Sequence, residues 1–173
     1  MTNKKTKFYI LDTSAILSGK SINLENAKMI TTPDIESEIK PGGKDYQNFQ
    51  FLKEKGLSYQ PPSEKAINTI IKKSKETGDF ERLSNIDIQI LALSLDIKSQ
   101  GNESIIITDD YSIQNISNYL DIKFESINQI GITKRFKWIN RCQGCGKKFK
   151  ENIRICPICG AETKKIIAKK QDI

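Results

Sequence analysis

The sequence of 173 residues contains no histidine and only one tryptophan. Without histidine, a metal site has no imidazole ligands and a reaction has no imidazole base. No apolar stretch approaches the ~20 residues of a membrane-spanning helix. The first apolar run, from Phe8 to Leu17, is interrupted by Asp12 and lacks the end of a secretory signal. We therefore expect a cytoplasmic protein with no membrane partner.

Four cysteines are present, all near the C-terminus, in two Cys-x-x-Cys pairs that are each followed by glycine. The pairs are Cys142 with Cys145 and Cys156 with Cys159, separated by ten residues. Glycine lets the chain turn tightly and direct N–H groups at the sulfurs. Two disulfides would need an oxidising compartment, and a redox pair would not occur twice around a lysine-rich loop. The spacing predicts a closed four-thiolate Zn²⁺ site that stabilises the fold without catalysing a reaction.

Positive charge is concentrated in the last third of the chain. Residues 128–173 include 12 Lys or Arg and 3 acidic residues, whereas residues 1–127 include 16 basic and 18 acidic residues. Basic and aromatic side chains together suit the phosphates and bases of single-stranded or looped RNA. An alternative is that the aromatic rings only cover the zinc site. The residues predicted to bind RNA are Lys134, Arg135, Lys137, Trp138, Arg141, Lys147, Lys148, Lys150 and Arg154.

The first 127 residues alternate short apolar segments with longer helical patterns. The predicted strands cover residues 8–11, 27–31, 104–108 and 122–127, and the predicted helices cover 14–18, 34–40, 46–55, 63–75, 86–98 and 111–119. This alternation predicts an α/β fold in which helices sandwich a parallel sheet. We assign residues 1–127 to this domain, 128–136 to a linker, and 137–173 to a small zinc ribbon with a basic C-terminal tail.

Acidic residues follow the predicted strands. Asp12 comes after the first strand, and Asp109 and Asp110 come after the third, so all three lie at the edge of the sheet where α/β sites form. Glu38 and Asp87 lie on helical faces that can border this edge. Carboxylates ~4 Å apart repel by about 4 kcal/mol at an effective dielectric of ~20, so such a cluster needs a hard cation. Oxygen ligands alone favour Mg²⁺ or Mn²⁺.

Each acid also has an ordinary structural explanation. Ser84 to Asp87 is a capping-box pattern, so Asp87 could serve only to begin its helix. An aspartate after a strand is commonly a turn residue, and a surface glutamate is commonly solvated. If the acids instead share a divalent ion, water activated by that ion is the remaining nucleophile, because histidine is absent and the cysteines are assigned to zinc. The reaction that this set of residues supports is phosphodiester hydrolysis.

Four segments resemble, in order, the acidic motifs of the PIN-domain nucleases: FYILDTSAIL, TTPDIESEIK, LSNIDIQILALSLDI and IIITDDYSIQNIS. With the ribbon that follows, nearly the whole chain resembles the archaeal Nob-type endonucleases of ribosome assembly. The resemblance implies a metal-dependent single-strand endoribonuclease that matures the 3′ end of small-subunit rRNA. The implied partners are the rRNA precursor and the assembling small ribosomal subunit, and no small-molecule cofactor is expected.

The resemblance also assigns roles to residues. It implies that the Mg²⁺ or Mn²⁺ ligands are Asp12, Glu38, Asp87 and Asp110. The family pattern has threonine, a variable residue and then the aspartate, which selects Asp110 over Asp109, and both are candidate catalytic residues.

In the same way, it implies that the hydroxyl of Thr13 or Ser14 holds a ligand and that Asn115 orients the edge of the sheet. Two other functions remain open at this point. One is a non-catalytic RNA-binding protein of the ribosome, in which the acids are caps and turns. The other is a toxin-like PIN nuclease, against which the appended ribbon argues.

Overall fold

The computed structural model describes residues 5–20, 27–128 and 134–172, with side chains from 136 to 170 in the last segment. Its first sheet has five parallel strands: β1 (Lys7–Leu11), β2 (Ala27–Thr31), β3 (Ser58–Tyr59), β4 (Glu103–Ile107) and β5 (Lys123–Glu125). Their order is β3-β2-β1-β4-β5. The central strands β1 and β4 are buried, which explains the Ile105–Ile107 run. The predicted α/β fold is confirmed.

Helices flank this sheet. The α-helices of the described residues are α1 (Thr13–Leu17), α2 (Gly43–Glu54), α3 (Glu64–Thr77), α4 (Asn85–Ser99) and α5 (Tyr111–Tyr119). α1 packs against α2, whereas α4 packs against α3, α5 and the central strands. α4 is apolar on nearly every side because it is buried in this way, and Ile90, Leu91 and Leu93 are fully enclosed. No helix in the described part of the chain is both long and apolar enough to span a membrane.

The segment over 34–40, predicted as a helix, forms a shorter 3₁₀-helix at Pro33–Glu38. Proline is favourable at the first helical position. However, the segment is only six residues long and soon meets Gly42 and Gly43, which have φ of 85° and 78°. An α-helix has no room to propagate there. The 3₁₀-helix at Phe80–Arg82 and the edge strand β3 have no apolar pattern, and the sequence did not indicate them.

The second sheet is antiparallel and contains the cysteines. Its strands are β6 (Lys134–Cys142), β7 (Lys148–Phe149) and β8 (Thr163–Asp172), in the order β7-β6-β8. β6 pairs with β8 from end to end, with one register shift at Lys137/Trp138. This sheet and its cysteine cluster confirm the predicted ribbon. β6 begins inside the segment assigned to the linker, and β8 occupies the stretch assigned to the basic tail.

Candidate active site

The carboxyl ends of β1 and β4 lie side by side at one edge of the parallel sheet. The two strands pair in register as far as Leu11 and Ile107, and the N–H of Asp12 continues this pairing by donating to the Ile107 carbonyl at 3.2 Å. The loops that follow both strands therefore begin next to each other. We call the group of acids gathered here the acidic edge; its members are Asp12, Glu38, Asp87 and Asp110.

Asp12 is held by two hydroxyl groups at the centre of the acidic edge. Its side chain is only 4% exposed. Its Oδ2 accepts hydrogen bonds from Thr108 Oγ1 at 2.8 Å and Ser14 Oγ at 2.9 Å. Burial raises the pKa of Asp12, the hydroxyl bonds oppose this, and repulsion by Asp110 adds to it. The carboxylate is thus fixed in position but is costly to ionise unless a cation is near.

Asp110 begins α5 and faces the other acids. Its Oδ1 accepts hydrogen bonds from the N–H groups of Ser112 at 2.6 Å and Ile113 at 3.2 Å, as an N-cap does. Its own N–H donates to Thr108 Oγ1 at 3.0 Å, so the same threonine fixes Asp110 and Asp12.

The neighbouring Asp109 has a different environment. Its Oδ1 accepts the N–H of Ile127 at 2.9 Å, and its Oδ2 accepts Asn128 Nδ2 at 2.8 Å. These bonds hold the loop that follows β5. By contrast, the charge of Asp110 repels both Asp12 and Asp87. The arrangement favours Asp110 as the candidate ligand, in agreement with the family pattern, and the assignment remains a prediction.

Asp87 caps its helix and also lies close enough to Asp12 and Asp110 to be repelled by them. Its Oδ2 accepts the N–H of Ser84 at 2.6 Å, and its N–H donates to Ser84 Oγ at 3.1 Å, which completes a capping box at the start of α4. Burial, together with repulsion by Asp12 and Asp110, raises the pKa of Asp87 to about 6, although the bonds to Ser84 act in the opposite direction. A helix cap alone does not produce such repulsion, so Asp87 also belongs to the acidic edge.

Glu38 is connected to the acidic edge through Thr13. It ends the 3₁₀-helix with an exposed side chain, and its Oε2 accepts a hydrogen bond from Thr13 Oγ1, the residue after Asp12. Glu36, two residues earlier, faces away from the acidic edge. Its Oε1 contacts Tyr59 Oη at 2.7 Å and Lys53 Nζ at 3.1 Å.

The acidic edge is looser than a closed metal site. Within the described residues, no three of its members have ligand oxygens that all lie within 4.8 Å of one another. Its possible ligand atoms are all oxygens, its members come from four separate segments, and its three aspartates repel one another. Such a set suits a hard divalent cation, which would draw the carboxylates closer.

The four cysteines form a much tighter cluster. The Sγ atoms of Cys142, Cys145, Cys156 and Cys159 all lie within 4.8 Å of one another, with 3.3 Å between Cys142 and Cys159 and 3.7 Å between Cys145 and Cys156. Zn–S bonds of ~2.3 Å in a tetrahedron place sulfurs about 3.8 Å apart. The cluster therefore fits a zinc ion.

Hydrogen bonds within the cluster favour thiolate at Cys142. The N–H groups of Gly144 and Cys145 donate to its Sγ at 3.3 and 3.4 Å. Burial opposes the charged form, but these bonds and the Cys159 thiol outweigh it and lower the pKa of Cys142 to about 6. Gly146 and Gly160, which follow the two pairs, have φ of 73° and 72°, so they form the tight turns that the sequence suggests.

The predicted RNA-binding side chains are mostly exposed on the ribbon. Lys134 and Arg135 begin β6, but their side chains lie outside the described residues. Trp138 is half-buried, with the Arg82 guanidinium 4.0 Å from the centre of its ring. The exposed members are Lys137, Arg141, Lys147, Lys148, Lys150 and Arg154.

The hydrogen bonds of the Asn115 side chain go to the ribbon and to Asp79 and not to an acid of the acidic edge, so its implied role there stays a prediction. Its side chain bonds to both backbone groups of Phe136 and to Asp79, and so joins α5 to the ribbon. Asp79 is 1% exposed and also accepts a hydrogen bond from Thr77 at 2.8 Å. Sequence reasoning missed Asp79 because a Thr-Gly-Asp segment after a helix looks like an ordinary turn.

Comparisons with known proteins agree with this architecture. Residues 9–97 match the family described as PIN domain of ribonuclease. The chain is 34% identical to an Archaeoglobus fulgidus protein named Endoribonuclease Nob1, over 92% of this chain and 90% of the relative. A Pyrococcus abyssi protein of the same name is 32% identical over 91% and 92%. Ribonuclease VapC1 of Thermoplasma acidophilum is 34% identical over 95% of this chain and 81% of the relative.

Proposed function

Because the chain belongs to the PIN-domain family of ribonucleases, we propose that it matures the 3′ end of small-subunit rRNA during ribosome assembly in the cytoplasm. Family membership makes it an endoribonuclease, a divalent-metal-dependent phosphodiester hydrolase. The observation that carries the choice of substrate is similarity to Nob1 endoribonucleases along nearly the full length of both chains. The proposed partners are therefore precursor rRNA and the small ribosomal subunit.

The acidic edge supplies the residues for hydrolysis. We propose Asp12, Glu38, Asp87 and Asp110 as the ligands of Mg²⁺ or Mn²⁺. When bound, such an ion lowers the pKa of a water molecule and offsets charge on the leaving oxygen. Thr108 and Ser14 hold the Asp12 carboxylate in place through their hydroxyls, and such preorganisation reduces the reorganisation needed during the reaction.

The ribbon supplies a basic surface for RNA. We propose that Cys142, Cys145, Cys156 and Cys159 hold Zn²⁺, which stabilises the ribbon without taking part in catalysis. The exposed Lys and Arg side chains around it are suited to the phosphates of RNA, whereas the acidic edge would repel phosphates without a cation. Binding and cleavage are thus divided between two parts of the chain.

The toxin-like PIN nuclease considered from the sequence is the second candidate function, because a relative with another name, Ribonuclease VapC1, has the same 34% identity to this chain as the Archaeoglobus Nob1. The VapC1 match covers 95% of this chain, so it includes most of the ribbon. The presence of the ribbon therefore separates the two candidates less well than the sequence alone suggests. A non-catalytic RNA-binding protein is not supported, since the family is one of nucleases.

Cleavage of precursor rRNA tests the proposal. Purified protein is incubated with RNA that spans the 3′ end of the small-subunit rRNA, with Mn²⁺ and then with a chelator, and the product ends are mapped. We expect one main cut at the mature 3′ end that the chelator abolishes. Cleavage of tRNA or mRNA while the precursor stays intact would favour the toxin-like function. No cleavage of any RNA with Mg²⁺ or Mn²⁺ would contradict both.

A further inference from the structure

A groove separates the ribbon from the first domain. One cavity of about 480 Å³ is lined on the first-domain side by Lys75 and Phe80 and on the ribbon side by Trp138, Lys150 and Lys165. A second cavity of about 330 Å³ shares Lys75, Trp138 and Lys150 with the first, so the two are adjacent. We call the two cavities together the interdomain groove. Cavities of this size hold one small-molecule-sized group, such as a nucleotide, rather than a duplex.

The walls of the interdomain groove are fixed relative to each other. Asn115 bonds to the backbone of Phe136 on one side of the junction. Gly78 contacts Trp138 so closely that a Cβ on Gly78 would lie 2.6 Å from the Trp138 carbonyl oxygen, and Gly78 has φ of +82°. Only glycine fits there without strain. The groove is therefore formed before any ligand binds, which lowers the entropic cost of binding.

The charge of the interdomain groove suits an anion. Within the described residues, Lys75, Lys150 and Lys165 have no carboxylate within 4.0 Å. Lys137 also lines the groove, as do three acids, so four lysines exceed three carboxylates by one positive charge. The acids are Glu76, Glu81 and Glu151. Such an excess attracts a phosphate chain more than it attracts an isolated neutral molecule.

Lys165 is the most constrained of these cations. Its side chain is half-buried. Burial and repulsion by Arg82 lower the pKa of Lys165, whereas attraction to Asp79 and Glu81 raises it. Arg82 lies over the Trp138 ring, so two cations and a flat aromatic surface are adjacent. A phosphate between the two cations would relieve their repulsion, and a base can contact the ring.

The interdomain groove is close to the acidic edge along the chain. Glu81 lines the groove, and Ser84, three residues later, bonds to Asp87. Three residues span at most about 11 Å. An RNA strand that leaves the groove in this direction would therefore reach the acidic edge within a few nucleotides.

We propose that the interdomain groove binds single-stranded RNA beside the cleavage site, with lysines contacting phosphates and Trp138 contacting a base. The proposal rests on the proposed function only in that the ligand is RNA. It adds Lys75 and Lys165, which lie outside the cysteine loops, to the RNA-binding residues.

The single tryptophan of the chain makes the groove directly observable. A short oligouridylate is titrated into the zinc-loaded full chain in buffer without any added divalent cation, and Trp138 fluorescence is recorded beside the anisotropy of labelled RNA. We expect RNA to quench Trp138 with the same affinity that anisotropy gives. RNA binding without any change in Trp138 fluorescence would overturn the proposal.

Matched variants separate the groove from general positive charge. Lys75→Gln with Lys165→Gln removes two groove lysines. Lys72→Gln with Lys164→Gln removes two exposed lysines from the same helix and strand, and Lys164 points to the opposite face of β8 from Lys165. We expect the double variant at Lys75 and Lys165, the groove pair, to weaken RNA binding about tenfold. It should also reduce the slope of log affinity against log salt concentration by about two. The double variant at Lys72 and Lys164, the control pair, should change affinity less than about threefold.

A charge-preserving pair keeps this test decisive. Lys75→Arg with Lys165→Arg should restore most of the affinity, whereas equal losses in the groove and control pairs, at unchanged melting temperature, would overturn the proposal.

Because binding is measured without a catalytic cation, the two proposals can fail separately. Quenching of Trp138 by RNA that is never cut would support the groove and contradict the nuclease function. Precursor cleavage unaffected in the groove pair would contradict the groove alone.

Discussion

The side-chain amide of Asn115 pairs with both backbone polar groups of Phe136. Its Nδ2 donates to the Phe136 carbonyl at 2.9 Å, and its Oδ1 accepts the Phe136 N–H at 2.8 Å. Asn115 lies on α5, which begins at the Asp110 cap, and Phe136 lies on β6. One helix therefore carries both an acid of the acidic edge and the attachment point of the ribbon.

Asn115→Ala should loosen the ribbon from the first domain. The substitution removes two hydrogen bonds to Phe136 and one to the buried Asp79, and we expect a loss of about 2 kcal/mol in the free energy of unfolding. Urea unfolding measures this loss, and limited proteolysis between residues 128 and 136 should become faster. Asn118→Ala is the control, because the hydrogen bond that the Asn118 side chain makes within the described residues stays in its own helix, to the Gln114 carbonyl at 3.1 Å. Equal effects of the two variants would contradict the conclusion that Asn115 attaches the ribbon to the first domain.

Glu38→Gln should impair cleavage, whereas Glu36→Gln should not. Both changes neutralise an exposed glutamate on the same 3₁₀-helix, but Glu38 bonds to Thr13 at the acidic edge and Glu36 bonds to Lys53 and Tyr59 away from it. We expect cleavage at fixed Mn²⁺ to fall at least about tenfold in the first variant and less than twofold in the second. Similar rates in both variants would remove Glu38 from the proposed ligands.

Asp87→Asn should stabilise the protein when no divalent ion is added to the acidic edge. In the folded state burial and the charges of Asp12 and Asp110 raise the pKa of Asp87 to about 6, from an ordinary value of 3.8. The protonated form is therefore favoured by folding. Its contribution to stability is complete below pH 3.8 and is lost as the pH rises through about 6.

At pH 7.5 the variant lacks this penalty, so its melting temperature should exceed that of the original protein by a few degrees. We expect about 1 kcal/mol, because the half-exposed carboxylate is partly screened by solvent. At pH 4.5 the difference should shrink. Thermal unfolding at the two pH values checks this, and a variant that is less stable at pH 7.5 would show that the helix-cap role of Asp87 outweighs the repulsion.

Removal of zinc should unfold the ribbon and spare the first domain. Zinc binding supplies about 10–16 kcal/mol to small modules of this type, whereas the buried apolar core belongs almost entirely to the parallel sheet and its helices. A strong zinc chelator, or Cys142→Ser, should shift Trp138 emission toward that of exposed tryptophan while most helical circular dichroism remains. Unchanged Trp138 emission after complete loss of zinc would contradict this account of the ribbon.

The parts of the fold that the sequence predicts are those with local signals. α4 could be predicted because its apolar residues surround the helix, and Asp12 and Asp110 because each lies within three residues of the end of a central strand. The partner of Asn115 is the backbone of a residue 21 positions away, and backbone groups have no residue-specific signature. The interdomain groove likewise depends on how two separate sheets meet, which no local pattern records.

The most direct test of the central claim compares RNA cleavage and RNA binding in Asp12→Asn. The substitution preserves the size of a buried side chain that Thr108 and Ser14 hold, but it removes the charge needed to bind a divalent ion. We predict that cleavage with Mn²⁺ is lost while affinity for single-stranded RNA and zinc content are unchanged. Cleavage by this variant at the rate of the original protein would contradict the claim that the acidic edge is the catalytic centre.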